Sequence, residues 1–260
     1  MWPKICYHNT DYEMMGVLCP FAFIEVSMSS IAIITARGGS KRIPGKNKKA
    51  FLGKPIICYS IEAAIKSGLF DEVMVSTDDD EIAFIAKEAG ANVPFMRSDA
   101  TAGDYATTDE VLAEVLGEYA KQGKTFDYMV CLYPTAPFIT SARLKEAMDK
   151  LISSGAAELM TVTTFSFPPQ RGLVEKDGRV AYREPENALK RSQDLQKIYH
   201  DCGQFYLYDV KKFLNPMINP DEDMTYIVLD ELEVQDIDND TDWKLAEIKY
   251  TLLHGGNLLG

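Results

Sequence analysis

Ile31-Ala32-Ile33-Ile34-Thr35 is an unbroken apolar, largely β-branched run, the pattern of a strand buried on both faces. It opens a regular alternation. Residues 56–67 carry Ile57, Ile61, Ala64 and Ile65 at helical spacing, with Gly68 as a stop. Glu72 to Thr77 reads as a second strand, and Asp80 to Ala89 as a helix with Ile82, Ile85 and Ala86 on one face. A third strand is expected near Val93 to Met96. A helix follows from Thr108 to Tyr119, a fourth strand from Tyr128 to Tyr133, a helix from Ser141 to Ser153 and a strand from Leu159 to Thr163. Strands alternating with helices imply βαβ units, hence an α/β fold with a mostly parallel sheet. The alternation fails after Thr164. Residues 165–200 are rich in Pro, Arg, Glu and Gln and read as an insertion within the fold. Strand character resumes at Gly203 to Val210, and Asp240 to Leu253 reads as a closing helix.

A chain of 260 residues holds one or two domains and can build its core without a disulfide or metal. Apolar residues at 46% and charged residues at 25% exclude a disordered or collagen-like chain. The net charge of −12 argues against a general binder of nucleic acid or anionic membranes, though a local basic cluster can still hold a small anion. The five cysteines, at 6, 19, 58, 131 and 202, form no Cys-x-x-Cys pair. A disulfide framework and a structural zinc site are poorly supported, and a reducing cytoplasm is the expected compartment. The longest uncharged apolar run, Met14 to Ile24, has 11 residues and contains Pro20. A membrane span needs about 20, and the acidic residues before the run are wrong for a signal peptide. Residues 1–27 are therefore expected to be an extension ahead of a native start at Met28, with the main domain at 28–253.

The first candidate for chemistry follows the first strand at once: Arg37-Gly38-Gly39-Ser40-Lys41-Arg42-Ile43-Pro44-Gly45-Lys46-Asn47. Six basic residues (Arg37, Lys41, Arg42, Lys46, Lys48 and Lys49) fall within 13 positions of an acidic chain. Open α/β sheets bind ligands outside the carboxyl ends of their strands. Glycines let backbone approach a phosphate, and basic side chains neutralise it. Polyphosphate binding is the expectation, with an ordinary solvated basic loop as the alternative. A P-loop fails on spacing, and the dinucleotide fingerprint is absent. The second candidate is Asp236-Ile237-Asp238. On a strand, both carboxylates would face one side and could hold Mg²⁺, which takes one or two carboxylates and completes its shell with phosphate and water; a solvated acidic face is the alternative. The third lies at Lys190 to Asp194 and Tyr199-His200-Asp201, where polar and cationic groups cluster in a loop suited to an acidic, hydroxyl-rich ligand. His200 is a general acid or base by residue type. No nucleophilic triad is identifiable, and no general base stands out. As a loop lysine, Lys46 is expected to pack little.

Together these segments resemble the CMP-sialic acid synthetase family of cytidylyltransferases over about residues 30–253. Arg37 to Arg42 with Ile43, Pro44, Lys46 and Asn47 is similar to the family's signature loop. Val75-Ser76-Thr77-Asp78 and Tyr133-Pro134-Thr135-Ala136-Pro137 resemble two further blocks, and Asp236-Ile237-Asp238 resembles its metal pair. The segments from Arg191 to Leu195 and Tyr199 to Tyr206 look most like the branch that activates pseudaminic acid. The resemblance implies a Rossmann-like three-layer nucleotidyltransferase fold with an inserted dimerisation subdomain. It implies transfer of CMP from CTP to a nine-carbon acidic sugar, with Mg²⁺ as cofactor, pyrophosphate as by-product and a homodimer in which the insertion reaches the partner. By position, Arg37 and Lys46 would hold the triphosphate, with Gly39, Ser40 and Asn47 also on the nucleotide. Arg97, Ala106 and Thr108 would line the cytidine pocket. Tyr133, Thr135, Arg191, Gln193, His200, Gln204 and Tyr206 would serve the sugar, and Asp236 and Asp238 the metal. Sialic acid enzymes typically have Gln at the position of Tyr133, Arg at that of Ile139 and Arg-Pro-Asn at that of His200-Asp201-Cys202. These departures all fall on the sugar side. The rivals are a cytidylyltransferase for sialic, legionaminic or another ulosonic acid, and a non-catalytic nucleotide-sugar binder. A hydride-transfer dehydrogenase lacks its glycine fingerprint.

Overall fold

The structure, a computed structural model, describes residues 28–219 and 222–255; the N-terminal extension and its expected boundary at Met28 concern residues that lie mostly outside that range. In chain order the strands are β1 (Ser30–Thr35), β2 (Ala50–Phe51), β3 (Lys54–Pro55), β4 (Glu72–Ser76), β5 (Tyr128–Leu132), β6 (Glu158–Thr164), β7 (Leu173–Lys176), β8 (Arg179–Tyr182), β9 (Tyr199–Asp209) and β10 (Met224–Val228). The helices are α1 (Ile57–Ser67), α2 (Asp80–Glu88), α3 (Asp99–Ala102), α4 (Thr108–Lys121), α5 (Ser141–Ser154), α6 (Val210–Phe213) and α7 (Asp240–Leu253).

Six strands form one sheet in the order β10-β6-β9-β5-β1-β4. All run the same way except β9, which is antiparallel to both neighbours. β1 shows why its sequence has no polar interruption. Ile31 and Ile33 pack with Leu112, Val115 and Tyr119 of α4, whereas Ala32 and Ile34 belong to the layer of Ile57 and Ile61 of α1 and Leu144 of α5. Alternate residues of a strand point to opposite faces, so a strand covered on both sides is apolar throughout. The result is the expected α/β architecture, with helices on both faces of a mostly parallel sheet.

Three local expectations need correction. Val93 to Met96 is not a strand; only Asn92 bridges, beside Met74, and the chain then turns to carry Arg97. Asp236 to Asp238 lies in the connection before α7, outside any strand. The strand expected from Gly203 begins at Tyr199 and runs against its neighbours, while β10 closes the sheet edge where no strand was expected. Within residues 165–200, β7 and β8 pair as an antiparallel hairpin whose residues are all exposed. Among the described residues, no helix is long and apolar enough to cross a membrane, and Cys58, Cys131 and Cys202 are free thiols.

Candidate active site

The chain leaves β1 into the basic loop at the carboxyl ends of β1, β4 and β5. The turn after β4 fixes the loop's course. The Gly38 amide donates to Asp78 Oδ1 at 2.8 Å, and a Cβ at position 38 would stand 2.9 Å from Asp79 Cβ. That approach admits only glycine. Asp79 also caps α2, accepting from the amides of Glu81 and Ile82, and takes the Lys48 ammonium at 3.1 Å. Gly45, at φ +62°, supplies the left-handed residue that starts a short turn over Lys46–Lys48. Asn47 is buried, and its amide donates to the Arg37 carbonyl at 2.8 Å. It closes the loop on itself.

The loop forms one wall of a cleft of about 580 Å³. Of the residues singled out in the sequence, Arg37, Ser40, Lys46, Asn47, Arg97, Ala106, Thr108, Tyr133 and Thr135 line it together. They come from four separate connections and one helix start. Arg97 is buried beneath the cleft, its guanidinium donating to the Ser76 hydroxyl at 3.0 Å and carbonyl at 2.7 Å. Burial lowers its pKa. Thr108 stands in the first turn of α4, which Thr107 and Glu110 cap reciprocally. Its hydroxyl lies 3.5 Å from that of Tyr133. Gly39 sits in the loop with open space around it.

The acidic pair belongs to the same corner. Arg42 Nη1 meets Asp238 Oδ2 at 2.5 Å, and Lys46 Nζ donates to the Ile237 carbonyl at 2.7 Å. Hydrophobic packing holds the two segments together. Ile43 from the loop and Ile237 from between the two acids are buried in one cluster with Phe51, Trp243 and Ala246. Lys46 is thus half-buried, contrary to the expectation of a loosely packed loop lysine. Burial lowers its pKa, opposed by the charges of Asp238 and Asp236. Burial and the neighbouring Asp238 raise that of Asp236. Two carboxylates on either side of the buried Ile237, beside the cations of the loop, fit a divalent cation that other oxygens complete. No described cluster of three or more His, Cys, Asp or Glu side chains is arranged for a metal, so such an ion would take its remaining ligands from water or a bound phosphate.

The sugar-side expectations divide. Tyr133 and Thr135 face the cleft. Tyr206 lies behind Tyr133, ring centroids 5.6 Å apart, and its hydroxyl donates to Asp201. Gln204 is buried and donates to the Glu233 carbonyl, bracing the connection to the acids. Arg191, Gln193 and His200 lie outside the cleft. Arg191 pairs with Asp194 at 2.8 Å, Gln193 is exposed, and His200 packs its ring 4.8 Å from that of Phe165. Residues missed as site members include Thr101 and Asp104, which line the cleft. Asp104 binds Arg37 and Lys41, and its partners are more than 60 positions away, beyond the reach of any local pattern.

A profile of the family described as cytidylyltransferase matches residues 31–238. The pseudaminic acid cytidylyltransferase of Campylobacter jejuni is 41% identical over 228 residues, covering 87% of this chain and 98% of that protein. The CMP-N,N'-diacetyllegionaminic acid synthase of Legionella pneumophila is 31% identical over 222 residues, covering 85% and 95%. A solved CMP:2-keto-3-deoxy-manno-octonic acid synthetase complexed with CTP has the same fold, with a TM-score of 0.62 at 18% identity, covering 87% of this chain and 99% of that one.

Proposed function

The chain belongs to the cytidylyltransferase family, and on that premise we propose that it transfers CMP from CTP to a nine-carbon acidic sugar, pseudaminic acid, releasing pyrophosphate. The observation that carries the reaction is the junction of Arg42 and Lys46 with the Ile237-Asp238 segment at 2.5 and 2.7 Å, which joins cation loop and acid pair at one rim. The sugar is inferred from the 41% identity across nearly the whole of the Campylobacter protein, against 31% to the legionaminic acid synthase.

In the proposed mechanism, the anomeric hydroxyl of the sugar attacks the α-phosphorus of CTP in line, forming the new O–P bond as the bond to pyrophosphate breaks and the hydroxyl proton passes to water. Such a transfer asks the protein for position and charge rather than covalent chemistry. Arg37 and Lys46 neutralise charge on the phosphates. Asn47 keeps the loop closed behind Arg37, and Gly39 and Ser40 leave its crest open to the phosphate chain. Arg97, Ala106 and Thr108 hold the cytidine. Tyr133 and Thr135 orient the sugar, while Tyr206 and Gln204 support them from behind. Asp236 and Asp238 would hold Mg²⁺, which when bound neutralises the leaving pyrophosphate and acidifies a hydroxyl.

We infer a homodimer as well. The β7–β8 hairpin exposes Leu173, Val180 and Tyr182, and edge strand β10 exposes Met224, Tyr226 and Val228. Apolar surface of this kind marks association, and a hairpin without a packed face is marginal alone. Through that hairpin's base, Arg191, Gln193 and His200 would serve the partner's sugar site rather than their own. The free thiols Cys58, Cys131 and Cys202 support a cytoplasmic location. The test is sugar-dependent release of pyrophosphate from CTP, with UTP, ATP and GTP as the discriminating controls.

A further inference from the structure

We propose that Asp104 is a built-in counter-ion for the phosphate subsite, a carboxylate that pairs with the loop cations until the nucleotide's phosphates replace it. The proposal rests on the nucleotide site inferred above and adds to it a device that sets affinity. Asp104 stands in the connection between α3 and α4, the stretch that also gives the cleft Ala106 and leads into Thr108 at the start of α4. One carboxylate oxygen takes Arg37 Nη1 at 2.8 Å; the other takes the Lys41 ammonium. Arg37 Nη1 also approaches the Gly103 carbonyl at 3.5 Å. One anion thus spans two cations of the loop, the arrangement by which arginine and lysine hold phosphoryl oxygens.

A purely structural role fits these observations poorly. The Asp104 side chain is 39% exposed, joins no hydrophobic cluster, and makes ion pairs of the exposed kind that add little to stability. What it does is place negative charge in the cleft where a triphosphate would sit. An entering nucleotide exchanges carboxylate for phosphate on Arg37 and Lys41; a departing pyrophosphate is met by a carboxylate ready to retake both cations. Asp104 therefore weakens phosphate binding in the ground state and favours release, while leaving the nucleoside's own contacts alone.

Calorimetric titration of the full chain with inorganic tripolyphosphate, pyrophosphate and cytidine tests this, with Asp104→Asn as the variant and Asp104→Glu as the conservative control. The expected result is binding of tripolyphosphate and pyrophosphate about three- to tenfold tighter in Asp104→Asn, from the loss of two weak competing pairs, with cytidine unchanged and Asp104→Glu close to the unaltered protein. In steady state, the KM for CTP falls in the same variant without a rise in kcat. Equal or weaker phosphate binding in an Asp104→Asn protein of unchanged melting temperature overturns the counter-ion role while leaving the nucleotide site standing; Asp104→Ala repeats the measurement if the amide variant folds poorly. Failure of the unaltered chain to bind tripolyphosphate overturns the phosphate site and the counter-ion with it.

Discussion

Lys46 carries more of the proposed chemistry than any other side chain, and its surroundings say how to test it. The ammonium is half-buried, held to the Ile237 carbonyl and flanked by Asp236 and Asp238. Replacing it with methionine keeps the packed stem and removes only the charge and its hydrogen bond. Lys46→Met lowers kcat by about a hundredfold or more if this cation stabilises the transferring phosphoryl group, while the melting temperature measured by circular dichroism shifts by only about 2–4 °C. Turnover within twofold of the unaltered protein removes Lys46 from the mechanism. The acid pair is tested separately. Asp236→Asn together with Asp238→Asn abolishes the stimulation of pyrophosphate release by Mg²⁺; retained stimulation moves the metal elsewhere. Arg42 complicates that variant usefully. Its guanidinium pairs with Asp238, so the double substitution frees a cation beside the phosphates, and a gain in CTP affinity alongside the lost turnover is the expected signature.

At the scale of elements, one hydrophobic cluster explains why two segments almost 200 residues apart work together. Ile43 lies between Arg42 and Pro44, Ile237 between the two acids, and both are buried with Phe51, Trp243 and Ala246. The charged neighbours are thereby turned to the rim while the isoleucines anchor them. The elements that periodicity identifies are those buried on a regular face: β1, α1, β4, α2, α4, β5, α5, β6 and α7 fall within a few residues of expectation. Irregular geometry was hidden. Asp236 and Asp238 flank the buried Ile237 without belonging to a strand: the alternation there comes from Ile237 entering the cluster and not from sheet pairing. β10 was hidden because Met224, Tyr226 and Val228 stay exposed at the sheet edge, which leaves no clean apolar face to read. Most nucleotide-side candidates converge on the cleft because they sit in the loop after β1 or at or just ahead of a helix start. Arg191, Gln193 and His200 do not, because they ride on the insertion. That insertion has its own test. Leu173 and Tyr182 pair across the hairpin, and Val180 shares their face. Leu173→Glu with Val180→Glu converts a dimer into a monomer in analytical ultracentrifugation and lowers sugar-dependent turnover at least about tenfold, if the partner's hairpin base completes the site. A monomer of full activity separates the insertion from catalysis.

The whole molecule sets a net charge of −12 against a local cationic wall at the sheet's carboxyl edge. In the cleft Arg37, Lys41, Arg42 and Lys46 converge, a local field that attracts a polyanion against the sign of the whole chain. Much of their charge is answered within the protein, by Asp104, Asp238 and the Ile237 carbonyl, so the cleft is primed to exchange internal partners for phosphate and metal. The decisive measurement is continuous detection of pyrophosphate on mixing the protein with CTP, Mg²⁺ and each of pseudaminic, legionaminic, N-acetylneuraminic and eight-carbon ulosonic acids, repeated with the other nucleoside triphosphates. Release with CTP and pseudaminic acid, at a kcat/KM at least about tenfold above that of any other pair, is the predicted result. Absence of release from CTP with every acid, or release independent of the sugar, contradicts it.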